Sequence, residues 1–264
     1  MRRYRAEGEA AEEQALVLQA RAPVTLRVNT QAVTVASAME ALTAEGIEVA
    51  ANLQSATALS VLSNPRRVRQ SQAFAQGWVE LQDASSQQAV AEVPEGNVVL
   101  DYCAGGGGKA LALAAQGRRV YAHDINPLRM VDLPVRAERA GVEIAQVATD
   151  EIADAGPFDV VFCDAPCSGS GAWRRNPEGK WTLTSERLQT LMQTQDQVLF
   201  EAARHVRPGG ALVFATCSVL QCENEERVHK FLNENKDWTC DTAQNTPISE
   251  LGDGFFFAQL RRKV

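Results

Sequence analysis

The stretch Val98-Val-Leu-Asp-Tyr-Cys-Ala-Gly-Gly-Gly-Gly-Lys-Ala110 decides the fold of this chain. It reads as an apolar strand that ends in an acid, followed by a glycine-rich loop and the start of a helix. Gly105, Gly107 and Ala110 fit the pattern G-x-G-x-x-A, in which glycines let a ligand approach the backbone closely. Asp124 follows at the end of the next predicted strand, where a carboxylate can accept hydrogen bonds from two ribose hydroxyls. The stretch therefore predicts a site for a nucleotide cofactor.

The identity of that cofactor stays open on this pattern alone. A dinucleotide, S-adenosylmethionine, and a plain tight turn between strand and helix are all compatible with the glycine-rich loop. Asp101, directly before the loop, favours S-adenosylmethionine, because the methionine end of that cofactor carries an ammonium group that needs acceptors. Asp150, at the end of the third predicted strand, suits the adenine side of the same molecule.

Strands and helices alternate around the glycine-rich loop. The apolar spacing predicts strands at 98–101, 120–124, 144–147, 158–164 and 211–216, and helices at 108–116, 127–140 and 184–206. Pro134 is awkward inside the second of these helices, and Pro208-Gly-Gly210 is predicted to be the turn into the last strand. The alternation predicts an α/β domain with a Rossmann-like, doubly wound and mostly parallel sheet, whose ligands bind at the carboxyl ends of the strands.

The first 80 residues predict a smaller unit. Helices are expected at 7–20 and 33–45 and short strands at 25–29 and 47–49, followed by a loose segment and a closing stretch at 77–81. We therefore divide the chain into a small N-terminal α+β domain, residues 1–80, and a larger domain, residues 81–264.

The charge balance argues against one class of partner. The 264 residues include 26 basic and 33 acidic side chains, and the net charge of −7 by itself counts against binding of nucleic acid. Basic clusters nevertheless occur at 2–5, 66–69, 174–175 and 261–263. The sequence contains no apolar run of membrane-spanning length and begins with a polar segment unlike a secretory signal, so we expect a cytoplasmic protein without membrane contact.

Two cysteines follow two neighbouring predicted strands. Cys167 lies in Asp164-Ala-Pro-Cys-Ser-Gly-Ser-Gly171 and Cys217 in Thr216-Cys-Ser218, so a parallel sheet would bring them together above the cofactor. A pyrimidine ring is a poor nucleophile at C5, but a thiolate that adds to C6 enables C5 to attack a methyl sulfonium. A base such as the second cysteine must then remove the C5 proton, and a carboxyl such as Asp164 can hydrogen-bond the N3/N4 edge of the pyrimidine.

Other uses of the cysteines are also compatible with the sequence. Cysteine is often a small buried hydrophobe, and we expect this for Cys103, Cys163 and Cys240. The sequence spacing of four cysteines is acceptable for a zinc site, but two of these ligands would lie at strands rather than in the usual loop. The cysteines of that alternative are Cys163, Cys167, Cys217 and Cys222. A redox pair of Cys167 and Cys217 is a further alternative, and we expect no metal ion.

The chain resembles the Nop/Sun-type RNA cytosine-5 methyltransferases, and most of all their bacterial small-subunit (16S) rRNA members. The resemblance is specific, because D-A-P-C-S-G and T-C-S occur together at the required strand ends. The matching stretches run in family order from about residue 25 to the C-terminus: Leu26-Arg-Val-Asn29, Gln82-Asp-Ala-Ser-Ser-Gln87, residues 99–109, residues 164–171, Arg174-Arg-Asn-Pro-Glu-Gly-Lys-Trp181, Ala215-Thr-Cys-Ser-Val219 with Glu223-Asn224, and Gly252-Asp-Gly-Phe-Phe256.

The resemblance implies a role for each group. In catalysis, Cys217 would attack C6, Cys167 would assist product release, Asp164 would contact the base, and Lys109 would orient the base or the cofactor. S-adenosylmethionine would be bound by Cys103, Ala104, Gly105, Gly106, Gly107, Gly108, Lys109, Asp124, Asp150 and Asp164. RNA would be contacted by Arg27, Arg174, Arg175 and Lys180, with residues 25–80 as a small RNA-recognition domain.

The chain departs from the family pattern in two places. The family loop usually reads A-A-P-G-G-K, whereas residues 104–109 read A-G-G-G-G-K, and the missing proline is expected to loosen the loop. We also expect the N-terminal helical RNA-binding domain of the rRNA members to be absent. The RNA footprint would then be narrow and its binding weak and salt-sensitive.

Alternatives to this function remain open on the sequence. They are an RNA-binding protein with weak or no catalysis, a nicotinamide-dependent oxidoreductase, and a methyltransferase with tRNA rather than rRNA as substrate. We expect a monomer.

Overall fold

A computed structural model describes residues 9–264, with side chains from residue 12 onward. The basic cluster predicted at 2–5 and the first two residues of the helix predicted at 7–20 lie outside the described residues. The described part of that helix, α1, spans Glu9–Val17. Among the residues described, no helix combines the length and the apolar character needed to cross a bilayer.

The small N-terminal unit is an antiparallel sheet of order β2-β3-β1-β4 with short helices packed on it. Its elements are β1 (Val24–Val28), α2 (Val35–Ala44), β2 (Val49–Ala51), β3 (Ala58–Val61), a 3-10 turn at Pro65–Gln70, α3 (Gln72–Ala75) and β4 (Val79–Leu81). Leu26, Leu42 and Leu59 are fully buried between the sheet and the helices. Strand β3 forms in the segment predicted to be loose, and the strand predicted at 47–49 lies two residues later, at β2.

The larger unit is built on a seven-stranded sheet of order β10-β11-β9-β8-β5-β6-β7. Its strands are β5 (Val98–Asp101), β6 (Arg119–Ala122), β7 (Ile144–Gln146), β8 (Phe158–Asp164), β9 (Val206–Thr216), β10 (Trp238–Thr246) and β11 (Phe255–Arg262). Its helices are α4 (Ala84–Ala91), α5 (Gly108–Ala114), α6 (Leu133–Ala140), α7 (Ile152–Ala155), α8 (Gly179–Thr182), α9 (Ser185–Ala203) and α10 (Glu225–Glu234). Strands β5 to β9 are parallel, and β10 and β11 are antiparallel.

The predicted doubly wound, mostly parallel sheet is confirmed, because apolar clusters cover both of its faces. The predicted helix 127–140 is wrong in detail. It is a 3-10 turn at Pro127–Met130 followed by α6, and Pro134 lies in the first turn of α6, where no backbone N–H is needed. The turn predicted at 208–210 lies inside β9, where the register with β8 shifts between Phe158 and Val160 to accommodate it.

The parallel register sets the place of the site. Asp164 at the end of β8 lies opposite Ala215 of β9, and Asp101 at the end of β5 lies opposite Ala122 of β6. The loops that follow these strands therefore leave the sheet at one edge, where the sequence places the motif residues.

Gly107 shapes the glycine-rich loop. It caps α5 with a φ of +81°, a left-handed conformation that side chains rarely adopt. A Cβ atom at this position would also lie 2.3 Å from Cδ1 of Leu133 on α6. The close approach of the loop to α6 therefore depends on glycine.

Replacing Gly107 with Ala is expected to lower the free energy of unfolding by roughly 2–4 kcal/mol, since backbone strain and the clash with Leu133 add together. Gly141→Ala is the matched control, because Gly141 has a φ of +67° with nothing within 4 Å of the added Cβ. The control should lose about 1 kcal/mol in urea unfolding. Equal losses in the two variants would contradict the importance of the approach to Leu133.

Candidate active site

Cys167 and Cys217 lie side by side beyond β8 and β9, with their sulfur atoms 3.4 Å apart. Both side chains are partly buried. The pKa of Cys167 is raised well above its usual value, first by its hydrogen bond with Cys217 and then by burial and by the neighbouring charges. The sulfur of Cys167 therefore holds its proton tightly, while Cys217 lines the open cleft next to it.

That cleft, of about 410 Å3, runs between the small domain and the larger one. Lys109 of α5 and Asp164 form an ion pair in it, with 2.5 Å between Nζ and the carboxylate oxygen. Burial lowers the pKa of Lys109, but the charge and hydrogen bond of Asp164 outweigh it, so the net pKa is raised. The residues that face the cleft include Thr25, Leu81, Lys109, Asp164, Cys217 and Phe255. A cysteine thiol and a charged pair thus share one opening.

A second cavity, of about 230 Å3, lies beside the glycine-rich loop and is lined by Asp101, residues 103–106 and Lys109. Asp101 is 0% exposed, and neither of its carboxylate oxygens has a hydrogen-bond partner. Burial raises its pKa to about 7, and the Lys109 charge opposes this rise. An unpartnered buried acceptor is costly unless a ligand satisfies it, so the cavity fits the ammonium group of S-adenosylmethionine.

Asp124 and Asp150 line a third cavity further along the same edge. The Asp124 carboxylate accepts hydrogen bonds from the backbone N–H groups of Gly105 and Asn126 and from the Arg129 guanidinium, at 2.9, 3.0 and 2.9 Å. Asp150 is exposed. The two acids that the sequence assigned to the ribose and adenine sides therefore open onto one space.

Side chains of the small domain, or side chains bound to it, form hydrogen bonds with the glycine-rich loop. Arg27 of β1 and Gln82 both donate to the carbonyl oxygen of Gly108, at 3.0 and 3.3 Å. Arg136 of α6 donates to the carbonyl oxygen of Gly106 and forms an ion pair with Glu80 of β4 at 3.2 Å. Two carbonyls of the loop are thus fixed by side chains that the small domain supplies or anchors.

This arrangement corrects the prediction for Arg27. The residue is only 6% exposed, and burial lowers its pKa to about 10. Its guanidinium bonds inside the protein, so it is a support of the loop rather than the expected RNA contact. Sequence alone did not indicate this, because its partner Gly108 lies 81 residues away.

The other three predicted RNA contacts differ from one another. Arg174 is buried in an ion pair with Asp253 and donates to the carbonyl of Ser249, both at 2.8 Å, so its expected RNA contact is also corrected. Arg175 is partly exposed at the cleft and pairs with Asp83 and Asp253. Lys180 is exposed and lies over the ring of Trp181.

Of the remaining cysteines, Cys103 alone lines one of the cavities described above. Cys163 is buried as expected, and Cys222 is buried as well, whereas Cys240 is exposed, so its predicted burial is wrong. Cys103 is partly buried next to the second cavity, and burial raises its pKa strongly. Within residues 9–264, no group of three or more histidine, cysteine or acidic side chains could hold a metal ion.

Three residues of the site were given no role by the sequence. Arg129 binds Asp124, and Asp253 joins Arg174 to Arg175. Glu223 is fully buried and accepts hydrogen bonds from the loop of each site cysteine. Two of them, Glu223 and Asp253, lie in stretches that match the family, and this was the only signal for them.

Two family models match the chain. Residues 88–261 match the 16S rRNA methyltransferase RsmB/F model, and residues 2–69 match the ferredoxin-like domain of RsmF/B-like methyltransferases. The predicted domain boundary after residue 80 stays a prediction.

Two curated proteins that are similar to the chain carry the same name. The ribosomal RNA small subunit methyltransferase B of Enterobacter sp. (strain 638) is 36% identical over 217 residues, which cover 75% of this chain and 50% of that protein. The protein of the same name from Erwinia tasmaniensis is 34% identical over 257 residues, which cover 91% of this chain and 60% of that protein. The chain thus spans about half the length of the curated relatives it matches.

Two solved structures are similar over nearly the whole chain. PH0851 is 28% identical with a TM-score of 0.88, and the match covers 97% of this chain and 63% of that one. NSun6 from Pyrococcus horikoshii, solved with SFG, is 17% identical with a TM-score of 0.82, and the match covers 96% of this chain and 94% of that one. The second likeness supports the fold alone.

Replacing Arg174 with Ala tests its structural role. The change removes one of the two arginines that pair with the buried Asp253, so the free energy of unfolding in urea should fall by about 3 kcal/mol. Lys180→Ala, the exposed control from the same segment, should stay within about 0.5 kcal/mol of the unchanged protein. Unchanged stability of the Arg174 variant would contradict the structural role of this residue.

Proposed function

Because the chain belongs to the 16S rRNA methyltransferase RsmB/F family, we propose that it methylates C5 of cytosine in RNA, with small-subunit rRNA as the substrate. The observation that carries this proposal is the pair of sulfurs, 3.4 Å apart, beside the Lys109–Asp164 ion pair. A cytosine in the cleft would meet Cys217 directly, because this cysteine lines the opening.

Cys217 is the nucleophile in the proposed reaction. As a thiolate it forms a bond to C6 of the cytosine, and the electron pair displaced from the C5–C6 double bond makes C5 nucleophilic. S-adenosylmethionine, when bound, supplies the methyl group that C5 takes up. Loss of the C5 proton then restores the double bond and breaks the bond between C6 and the Cys217 sulfur.

Cys167 assists the release step. Its sulfur touches that of Cys217, so it lies within reach of the ring carbon that Cys217 has just modified. The raised pKa of Cys167 means that its thiolate, once formed, is a strong base for the C5 proton. Each turnover releases one proton to the solvent.

Asp164 and Lys109 orient the base. The Asp164 carboxylate can accept a hydrogen bond from the exocyclic amino group of cytosine, which uracil lacks. Lys109 holds that carboxylate in place through the 2.5 Å ion pair and keeps its own charge because its pKa is raised. The pair therefore favours cytosine over uracil.

The cofactor lies along the strand ends in this proposal. Asp101 and Asp164 accept from its ammonium group, residues 103–109 surround its methionine part, and Asp124 and Asp150 serve the ribose and adenine. Support comes from the unpartnered carboxylate of Asp101 and from the lining of the second and third cavities. Family membership favours this reading over a nicotinamide-dependent oxidoreductase.

The RNA footprint is narrower than the sequence predicted. With Arg27 and Arg174 inside the protein, it consists of Arg175, Lys180 and the exposed arginines at 66, 67 and 69. So few phosphate contacts imply binding that weakens strongly with added salt. A cytoplasmic location and a monomeric state stay predictions.

The Asp101 carboxylate should make cofactor binding depend on pH. The ionised form binds the ammonium group, so protonation below the pKa of about 7 weakens binding, roughly tenfold per pH unit. Calorimetry with S-adenosylmethionine between pH 5.5 and 7 should show this slope in the unchanged protein. Asp101→Asn should bind weakly without the slope, and Asp150→Asn should retain it. An unaltered slope in Asp101→Asn would contradict the assignment.

Substitution of the two cysteines tests the proposed function itself. Cys217→Ala should abolish methyl transfer to RNA, because the proposed reaction activates C5 through the bond between the Cys217 sulfur and C6. Cys167→Ala should still form the bond to C6 and accumulate a covalent RNA–protein adduct, visible as a shifted band in a denaturing gel. Cys240→Ala is the matched control and should keep full activity, since Cys240 is exposed on β10. Full activity of Cys217→Ala would contradict the mechanism.

A further inference from the structure

Glu223 is a buried acid with no place in the reaction described above. It ends a 3-10 turn at Gln221–Glu223, shortly after β9, and is 0% exposed. Its carboxylate accepts four hydrogen bonds. Within residues 12–264, it forms no ion pair with a basic side chain. Four donors and no acceptor around one carboxyl group suit the ionised form.

The four donors come from three different segments. Ser168 donates its backbone N–H at 2.8 Å and its hydroxyl at 2.5 Å, and Ser218 donates its hydroxyl at 2.6 Å. Gln195 of α9 donates its amide at 3.0 Å and also binds the carbonyl of Pro166 at 2.9 Å. Glu223 therefore joins the loop after β8, the loop after β9 and helix α9.

Each serine in this network is the neighbour of a site cysteine. Ser168 follows Cys167 directly, and Ser218 follows Cys217 directly. Gln195, through Pro166, holds the other side of Cys167. The atoms that Glu223 fixes are thus one residue away from the two sulfurs that lie 3.4 Å apart.

We propose that Glu223 is a positioning residue that holds Cys167 and Cys217 in contact, so that both sulfurs serve the same cytosine. The role rests on the proposed function, but the geometry it predicts can be measured without methyl transfer. Loss of the carboxylate would take an acceptor away from two hydroxyls, a backbone N–H and an amide in a buried space, and the two loops would move apart. Product release, which needs both sulfurs, would suffer more than the first attack on C6.

The charge of Glu223 adds to this role. It is among the causes that raise the pKa of Cys167, after the Cys217 hydrogen bond, burial and the Cys217 charge. A neutral residue at 223 would therefore let Cys167 lose its proton at lower pH. A residue with a purely structural role elsewhere would not change the titration of this thiol.

The test compares Glu223→Leu with Glu223→Gln. The glutamine can keep its oxygen toward the Ser168 N–H and Gln195 and turn its amide toward the two serine hydroxyls, which can rotate to accept. Glu223→Leu cannot accept any of the four hydrogen bonds. Glu226→Leu is the control, since Glu226 lies nearby with a side chain that is 56% exposed.

The main readout is the rate at which diamide oxidises Cys167 and Cys217 to a disulfide, followed by peptide mass mapping. Bond formation needs the sulfurs to close by only about 1.4 Å. Relative to the unchanged protein, we expect the rate in Glu223→Leu to fall at least tenfold, in Glu223→Gln about threefold or less, and in Glu226→Leu not at all. The rate of disulfide formation should also fall severalfold in the double variant Ser168→Ala, Ser218→Ala. This variant keeps the test available if Glu223→Leu fails to fold.

A second readout separates positioning from folding. With RNA, Glu223→Leu should accumulate the covalent adduct, and its kcat should fall by a larger factor than its KM changes. Its affinity for S-adenosylmethionine, measured by calorimetry, should stay within about threefold of that of the unchanged protein. A folded Glu223→Leu protein, or the double serine variant, with wild-type disulfide and methylation rates would overturn the proposal. If the unchanged protein does not methylate RNA but Glu223→Leu still slows the disulfide, the proposed function fails and the positioning role stands.

Discussion

The parallel pairing of β8 with β9 is the constraint on which the site depends. Because Asp164 lies opposite Ala215, the chain leaves both strands at the same level of the sheet, and each loop reaches its cysteine within three residues. The 3.4 Å contact of the sulfurs follows from this register together with the hydrogen bonds that join the two loops. A shift of one residue between the strands would turn one of the two side chains away from the cleft.

Part of the positive charge of this acidic chain serves the protein itself rather than the proposed RNA substrate. Several arginines point inward: Arg27 supports the glycine-rich loop, Arg136 ties it to Glu80, and Arg174 closes a buried ion pair. These three arginines are therefore not available to RNA, and the acids at the strand ends are placed for a cationic cofactor. The small domain also does more than present a surface, because it holds the loop on which the proposed cofactor would lie.

The sequence predicted the parts that depend on local pattern and on parallel topology. The strand–loop–helix motif, the acids at strand ends and the meeting of Cys167 with Cys217 all follow from residues near each other in sequence and from one rule about parallel sheets. It did not predict the hairpin of β10 and β11, whose exposed β10 carries no clean alternation. It also misassigned Arg27 and Arg174, because their partners lie 81 and 79 residues away and pairing at such distance leaves no local signal.

The central claim is that the paired cysteines make C5 of cytosine the methyl acceptor. Incubation of the protein with small-subunit rRNA and S-adenosylmethionine labelled in its methyl group, followed by digestion to nucleosides and mass spectrometry, tests this most directly. The account predicts label in 5-methylcytidine and in no other nucleoside. Label on another base or on the ribose, or no label from a protein that binds both the RNA and the cofactor, would contradict it.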